Sequence, residues 1–276
     1  MASTAKFLRT KAANLRDYTD ACVRYLRATG LVEVSHIGHS LSIAVEKVDD
    51  VDYILANTER SPVFVEDEQA YTAYLGSADT PRLLTDDRQA LLKKLDTEFP
   101  TDPIDRNLPI CDLQQALADL FDARKADRIW SEVDAIKSFR HFDDILNTFK
   151  QIEDNSLYDA PLMLEWNTWR AMTMLDGGDI RANLKLDDQG HPISTAQGNM
   201  ADIVCDYGSF ALTVEVTLQR GQKQYETEGE PVARHLAKLK RESQKPAFCL
   251  FVAPSINDAV VAHFYALQRM NISYYG

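Results

Sequence analysis

The sequence has no long hydrophobic run and little cysteine. None of its 276 residues belongs to an apolar stretch long enough to span a bilayer, and the N-terminal segment lacks the apolar core of a signal peptide. Only four cysteines are present, and none forms a CxxC pair, which argues against a zinc site and a disulfide framework. We therefore expect a cytoplasmic protein with reduced, mostly buried thiols and no membrane partner.

Basic residues are also fewer than acidic residues. The formal net charge is −12, and this global value argues against a nucleic-acid binder. The distribution is uneven, however, because residues 220–245 alone contain seven lysines and arginines. A strip of this kind can dock a polyanion, and it can equally be the solvated face of a helix.

The N-terminal region predicts mainly helices. A helix is expected over 15–28, a hairpin over 31–45 around Gly38, and a second helix over 48–58. This order is winged-helix-like, although the turn Ile37-Gly38-His39 carries little positive charge, so a structural or docking role fits as well as DNA reading. After a helix at 88–99, the Pro- and Asp-bearing stretch 100–109 marks a domain boundary. We predict an accessory region at 1–105 and a second domain at 106–276.

The second domain predicts helices and strands in a mixed order. Expected helices cover 113–138 and 142–152, and a further helix starts at Asp159-Ala160-Pro161. A later helix starts at Gly229-Glu230-Pro231 and runs to about Ser243, and the last covers 256–270. Expected strands are 180–186, two runs between 201 and 218, and 247–253, which has the pattern of a strand buried on both faces. This order predicts an α/β fold with a mixed sheet flanked by helices.

The chain is organised around the hairpin at residues 201–218. Its second strand alternates, so that Leu212 and Val214 face a core while Thr213 and Glu215 share the other face. A carboxylate at mid-strand is costly unless its charge meets a cation. Asp202 on the partner strand can bring a second carboxylate to the same place, and oxygen ligands of this kind suit Mg²⁺. The alternative is an ordinary amphipathic hairpin with both acids solvated.

Four segments resemble one family. They are Leu164-Glu165-Trp166-Asn167, Ala201-Asp202-Ile203, Val214-Glu215-Val216-Thr217-Leu218, and the long run from Gly221 to Val232 with Arg234-His235-Leu236. Together they resemble the cleavage domain of AlwI/MlyI/PleI-type restriction endonucleases, which include related nicking enzymes. Residues 25–31 resemble the accessory winged-helix segment of that family.

The resemblance implies a PD-(D/E)xK nuclease core and a Mg²⁺-dependent, site-specific DNA endonuclease of the type IIS restriction or nicking type, with Mn²⁺ able to substitute. Asp202 and Glu215 match the metal-binding acids, which the Val216 carbonyl would assist. Glu228 matches a later acid that could hold a second ion, and His235 matches the family's histidine.

Glu165 matches the acid of the preceding helix, although periodicity alone also allows it to face water. The sequence departs from the broad superfamily at Thr217, where a lysine is usual. His235, Lys238, Lys223 or a second Mg²⁺ could then take over the role of that lysine.

The resemblance also implies partners. Double-stranded DNA would be the substrate, and the expected phosphate contacts are Lys223, Arg234, Lys238, Lys240 and Arg241. Full-length family members are similar to this chain with further DNA-recognition domains, so we expect a larger recognition subunit or a second cleavage domain. The alternative is a catalytically inactive DNA-binding or subunit-docking module on a nuclease fold, which the threonine at position 217 favours.

Overall fold

The computed structural model describes residues 2–34, 40–59, 66–77, 81–187 and 190–274. These residues divide into two compact units, one formed by 2–24 and 128–274 and the other by 25–34 and 40–127. Both units contain helix, and the first also contains a mixed sheet, as the sequence predicts. The proposed division at 105/106 stays a prediction.

Helices dominate the N-terminal half. They are α1 (Ala2–Ala28), α2 (Val48–Asn57), α3 (Glu68–Leu75), α4 (Arg88–Glu98) and α5 (Ile110–Lys137), with a short hairpin of β1 (Val32–Val34) and β2 (Leu41–Ile43). The antiparallel pairing of β1 and β2 confirms the predicted hairpin. Its turn at 37–39 lies outside the described residues, and the winged-helix interpretation stays a prediction.

The second unit has its own core between α4 and α5. Leu91, Leu95 and Leu113 are fully buried there. Asp87 caps α4 by accepting hydrogen bonds from the N–H groups of Gln89 and Ala90, as the acidic residues before this helix predict.

Helix α1 differs from its prediction in length and in burial. It begins at Ala2 rather than near Leu15, because alanine, lysine and arginine in this stretch are strong helix formers. The amphipathic pattern of the sequence predicts an apolar stripe of Ala21, Cys22, Tyr25 and Leu26, and this prediction is wrong, since Tyr25 is 76% exposed and Cys22 is exposed. Cys111 is exposed as well, and Cys205 alone among the four thiols is buried, so the prediction of mostly buried cysteines is also wrong.

The C-terminal half builds a four-stranded sheet. Its elements are α6 (Phe142–Glu153), α7 (Ala160–Leu175), β3 (Asp179–Ala182), β4 (Lys185–Leu186), β5 (Pro192–Ser194), β6 (Ile203–Asp206), β7 (Ala211–Val216), α8 (Gly221–Ser243), β8 (Ala247–Val252) and α9 (Asp258–Tyr274). The sheet order is β3-β6-β7-β8, with β7 and β8 parallel and the other pairs antiparallel. The strand expected over 180–186 is therefore two strands, of which β4 pairs only with β5 among the described strands.

The two faces of the sheet are covered differently. Val214 and Ile203 point into a core that α7 completes with Trp166 and Trp169. On the opposite face, α8 contacts both β7 and β8. Strand β7 thus lies between two helical layers, which explains why Thr213 and Glu215 are buried together with Val214.

Two predictions for the last elements are wrong. Helix α8 starts at Gly221, eight residues before the expected start at Gly229-Glu230-Pro231, and continues through that proline. Strand β8 is not buried on both faces, because Phe248 is 56% and Leu250 41% exposed at the edge of the sheet. Among the described residues, no helix is long and apolar enough to cross a membrane.

Candidate active site

The register of the β6–β7 hairpin brings two carboxylates together. Ile203 pairs with Val214 in the antiparallel ladder, so one further step places Asp202 opposite Glu215. Directly opposed residues of such a pair point to the same face. The backbone of Asp202 is fixed from the other side, because its carbonyl accepts a hydrogen bond of 2.9 Å from the N–H of Asn183.

Asp202 is also held by its own side chain. Its Oδ2 accepts a hydrogen bond of 2.7 Å from the backbone N–H of Val216 on β7. Val216 therefore contacts the acid through its N–H group, and the predicted metal contact of its carbonyl remains untested. These hydrogen bonds fix Asp202 where β6 begins beside the end of β7.

Helix α8 contributes a histidine to Glu215. His235 Nδ1 lies 3.0 Å from Glu215 Oε1, and both side chains are almost fully buried. The other ring nitrogen of His235, Nε2, is buried and has no hydrogen-bond partner among the described residues. The fold therefore brings these two predicted site residues into direct contact.

Helix α8 also contributes an acid, Glu228. Glu228 lies seven residues before His235, so the two share one face of α8 after about two turns. Its Oε1 accepts a hydrogen bond of 2.8 Å from the hydroxyl of Thr217, which directly follows β7. The predicted start of this helix at Gly229-Glu230-Pro231 excludes Glu228, so the sequence did not predict that Glu228 and His235 share a helix.

Glu165 reaches the site from α7. The side chain is only 4% exposed, which excludes the possibility that it faces water. Its Oε1 accepts a hydrogen bond of 2.8 Å from the backbone N–H of Ala196, in the segment that leads to Asp202. The apolar neighbours Leu164 and Trp166 are buried with it.

The four acids interact electrostatically. Burial raises the pKa of Glu215 to about 9, and repulsion from Asp202 and the other acids adds to this shift. Burial likewise raises the pKa of Glu165 to about 8, with Asp202 as the next cause. The pKa of Asp202 rises to about 6, mainly through burial, although its bond from Val216 lowers it.

The protonation of the Glu215–His235 pair follows from these shifts. Burial lowers the pKa of His235, and the neighbouring Arg234 lowers it further. At neutral pH and without a cation, a protonated Glu215 therefore meets a neutral imidazole, although the distance alone would also fit an ion pair. A divalent cation at the acids would favour their ionised forms and would displace these protons.

Asp202 and Glu215 are the residues that could hold a divalent cation such as Mg²⁺. Among the described residues, no three histidine, cysteine or acidic side chains already form a metal-ion cluster. Mg²⁺ usually keeps several waters and binds through one or two carboxylates together with substrate phosphates. Asp202 and Glu215, on one face of adjoining strands, supply two such carboxylates.

The predicted phosphate contacts fall into two groups. Arg234 and Lys238 lie close enough to His235 to lower its pKa, so both border the site. Arg234 also bonds Glu230 and Asn199. For Lys223, Lys240 and Arg241, no side-chain contact within the described part of the chain links them to the acids.

Sequence reasoning missed the residues that hold the acids. The Ala196 N–H, the Asn183 N–H and the Thr217 hydroxyl carry no chemical signature, because their roles depend on contacts between distant segments. Thr217 was recognised only as a departure from lysine. The run of good helix formers before Pro231 was the one available signal that Glu228 lies on a helix.

Comparison with known proteins assigns the family. The family model described as AlwI restriction endonuclease matches residues 2–274. The chain belongs to the AlwI restriction endonuclease family. The chain is also similar to a solved structure, the small subunit (R.BspD6I2) of the heterodimeric restriction endonuclease R.BspD6I. The two share 35% sequence identity, and the TM-score is 0.41.

That similarity is partial. It covers 44% of this chain and 64% of the small subunit, so the chain spans less than two thirds of the length of that relative. Comparison with curated proteins finds no match.

Proposed function

We propose that this member of the AlwI restriction endonuclease family is a Mg²⁺-dependent, site-specific DNA endonuclease of the type IIS restriction or nicking type, built on a PD-(D/E)xK core. The single observation that carries the proposal is the strand register that places Asp202 opposite Glu215, with Glu228 and Glu165 near enough to add to the raised pKa of Glu215. Buried acids that repel one another are costly for stability, and a cation together with a phosphate substrate supplies the reason for their presence.

The acids would hold the ion beside the substrate. Asp202 and Glu215 would bind Mg²⁺, or Mn²⁺ in its place, with Glu228 as a further ligand and the Val216 carbonyl as a backbone ligand. The bound ion would neutralise charge at the scissile phosphate and acidify a water molecule. Glu165 would add a further acid beside Asp202 from the α7 side.

His235 would move the proton. Once Glu215 is ionised, it favours the tautomer that carries hydrogen on Nδ1, which leaves Nε2 with a free lone pair. A neutral imidazole is the form that accepts a proton, and the ordinary pKa of histidine, about 6.5, lies close to neutral pH. We assign Nε2 of His235 as the proton acceptor during phosphodiester hydrolysis.

The basic face of α8 would position double-stranded DNA. Arg234 and Lys238 border the acids, and Lys240, Arg241 and Lys223 lie on the same helix. Contacts of this type go to phosphates, so they would fix the register of the duplex without reading its sequence. Sequence recognition would then come from a larger recognition subunit, and the alternative partner is a second cleavage domain.

A plasmid-nicking assay with Mg²⁺, with Mn²⁺ and with EDTA tests the proposal. Glu215→Ala should lower cleavage by about 100-fold or more, because removal of one group that stabilises transition-state charge typically costs that much. Its matched control is Glu226→Ala, which removes an exposed acid from α8 and should cut like the parent.

The assay also separates the alternative function. A catalytically inactive docking module would leave plasmid intact under all three conditions while still shifting DNA in a gel. In contrast, if Glu215→Ala cleaves DNA as well as the parent does, Glu215 has no role in the reaction.

A further inference from the structure

Thr217 is held rigidly at the end of β7. Its side chain is 7% exposed, and its backbone N–H donates a hydrogen bond of 3.0 Å to the carbonyl of Val252 on β8. The position of its hydroxyl is therefore set by the sheet rather than by solvent.

The hydrogen bonds around this hydroxyl define its direction. The backbone N–H of Gln219 donates to Oγ1 at 3.1 Å, so this oxygen acts there as an acceptor. A hydroxyl has one proton to donate, and the remaining partner is Glu228 Oε1 at 2.8 Å. Thr217 is thus a donor to Glu228.

No other described side chain holds Glu228 as firmly. Thr227 Oγ1 lies 3.3 Å from the same oxygen, but its hydroxyl is exposed and lies closer, at 3.0 Å, to the carbonyl of Lys223. Both hydroxyls contact Oε1, and none of the described residues forms a hydrogen bond or ion pair with Oε2. That second oxygen is therefore available to a ligand.

We propose that Thr217 is a positioning residue, whose hydroxyl fixes the carboxylate of Glu228 so that its second oxygen serves the cation site. The assignment rests on the proposed function, because it deepens the role of Glu228 there. A glutamate side chain on a helix has three rotatable bonds, and the hydrogen bond from the sheet removes much of that freedom.

Two substitutions of Thr217 distinguish the effect of its hydroxyl from the effect of its side-chain shape. Thr217→Val keeps the branched shape and removes the donor, whereas Thr217→Ser keeps the donor. The matched control is Thr213→Val, which removes a buried hydroxyl from the same face of β7, where its hydrogen-bond partner is the carbonyl of Phe248 at 3.5 Å.

The first measurement is binding of Mn²⁺ alone, by isothermal titration calorimetry without DNA. Thr217→Val should weaken binding by roughly 10- to 100-fold, the usual effect of removing an outer partner of a metal ligand. Thr217→Ser and Thr213→Val should bind like the parent. The same order should appear in the Mg²⁺ concentration that gives half-maximal nicking.

A double-mutant cycle supplies the second measurement. On a Glu228→Ala background, Thr217→Val should cause no further loss of Mn²⁺ binding, because the hydroxyl acts through that carboxylate. Circular dichroism reports folding, and Thr217→Ala replaces the valine variant if the latter is unfolded.

Equal Mn²⁺ binding by the parent, Thr217→Val and Thr217→Ser would overturn the inference. The inference would also fail if Thr217→Val weakened Mn²⁺ binding as much on the Glu228→Ala background as in the parent. The calorimetric measurement of Mn²⁺ binding does not depend on DNA cleavage. If the parent binds Mn²⁺ but does not nick DNA, the proposed function fails while the role of Thr217 is still decided.

Discussion

Glu215 and His235 illustrate how burial controls a single residue. Strand β7 lies between two helical layers, and the acid on its inner face has lost most of its solvent. The raised pKa of Glu215 means that the folded chain without a cation prefers the protonated acid. The proposed function requires the opposite form, so stability and activity oppose each other at this residue.

The raised pKa values predict how stability depends on pH. Glu215 and Glu165 keep their protons in the folded state up to about pH 9 and about pH 8, whereas an unfolded chain releases them near pH 4.5. Between these limits the folded state binds more protons than the unfolded state. Its free energy of unfolding, measured in EDTA, should therefore fall as pH rises from about 5 to about 9.

Glu215→Gln provides the control for this prediction, because an amide cannot titrate. The variant should lose less stability over the same pH range in urea-unfolding experiments, and saturating Mg²⁺ should flatten the curve of the parent. A parent whose stability rises through this range would contradict the assigned direction of the shifts.

At the scale of elements, α8 depends on one buried amide near its start. Gln224 is fully buried, and its Nε2 donates hydrogen bonds of 2.9 Å to the carbonyls of Gln219 and Ser255. Its Oε1 accepts a bond of 2.8 Å from the N–H of Asn257. This residue connects the start of α8 to the segment before α9.

We predict that Gln224→Leu lowers the free energy of unfolding by about 2–4 kcal/mol, because the fully buried side chain loses its hydrogen bonds to three backbone groups. Gln222→Leu changes an exposed glutamine of the same helix and should stay within about 0.5 kcal/mol of the parent. Urea unfolding measures both, and equal stability of the two variants would show that the amide is not important.

The elements also show where sequence patterns succeed. The start of α7 at Ala160 and the β6–β7 hairpin followed directly from a proline near the first turn and from alternation around a glycine turn. The start of α8 did not, because Pro231 resembles a first-turn proline although the helix tolerates it in its interior. The exposure of Phe248 was missed because an apolar run does not reveal that its strand lies at a sheet edge.

At the scale of the whole chain, the net charge of −12 opposes DNA binding. Affinity would then depend on the local cations of α8. Neutralising Lys238, Lys240 and Arg241 by substitution with glutamine should reduce the slope of log affinity against log salt by about 0.9 for each phosphate that the helix no longer neutralises. Fluorescence anisotropy with a duplex over a salt series measures this slope.

Lys150→Gln combined with Lys185→Gln is the control, since these substitutions change the net charge outside α8. A slope reduced equally by both sets would attribute binding to overall charge rather than to the helix.

The acids of the candidate site were predicted from a resemblance to a family pattern, and strand register predicted that Asp202 and Glu215 meet. The supports around them could not be predicted, since Ala196 and Thr217 are defined only when separate segments fold together.

Helix α8 carries Glu228, Arg234, His235 and Lys238 within about three turns. Under the proposed function, this one helix would both hold the duplex and carry part of the catalytic site. Any small tilt of α8 would then act as a common brake that weakens DNA binding and slows cleavage together.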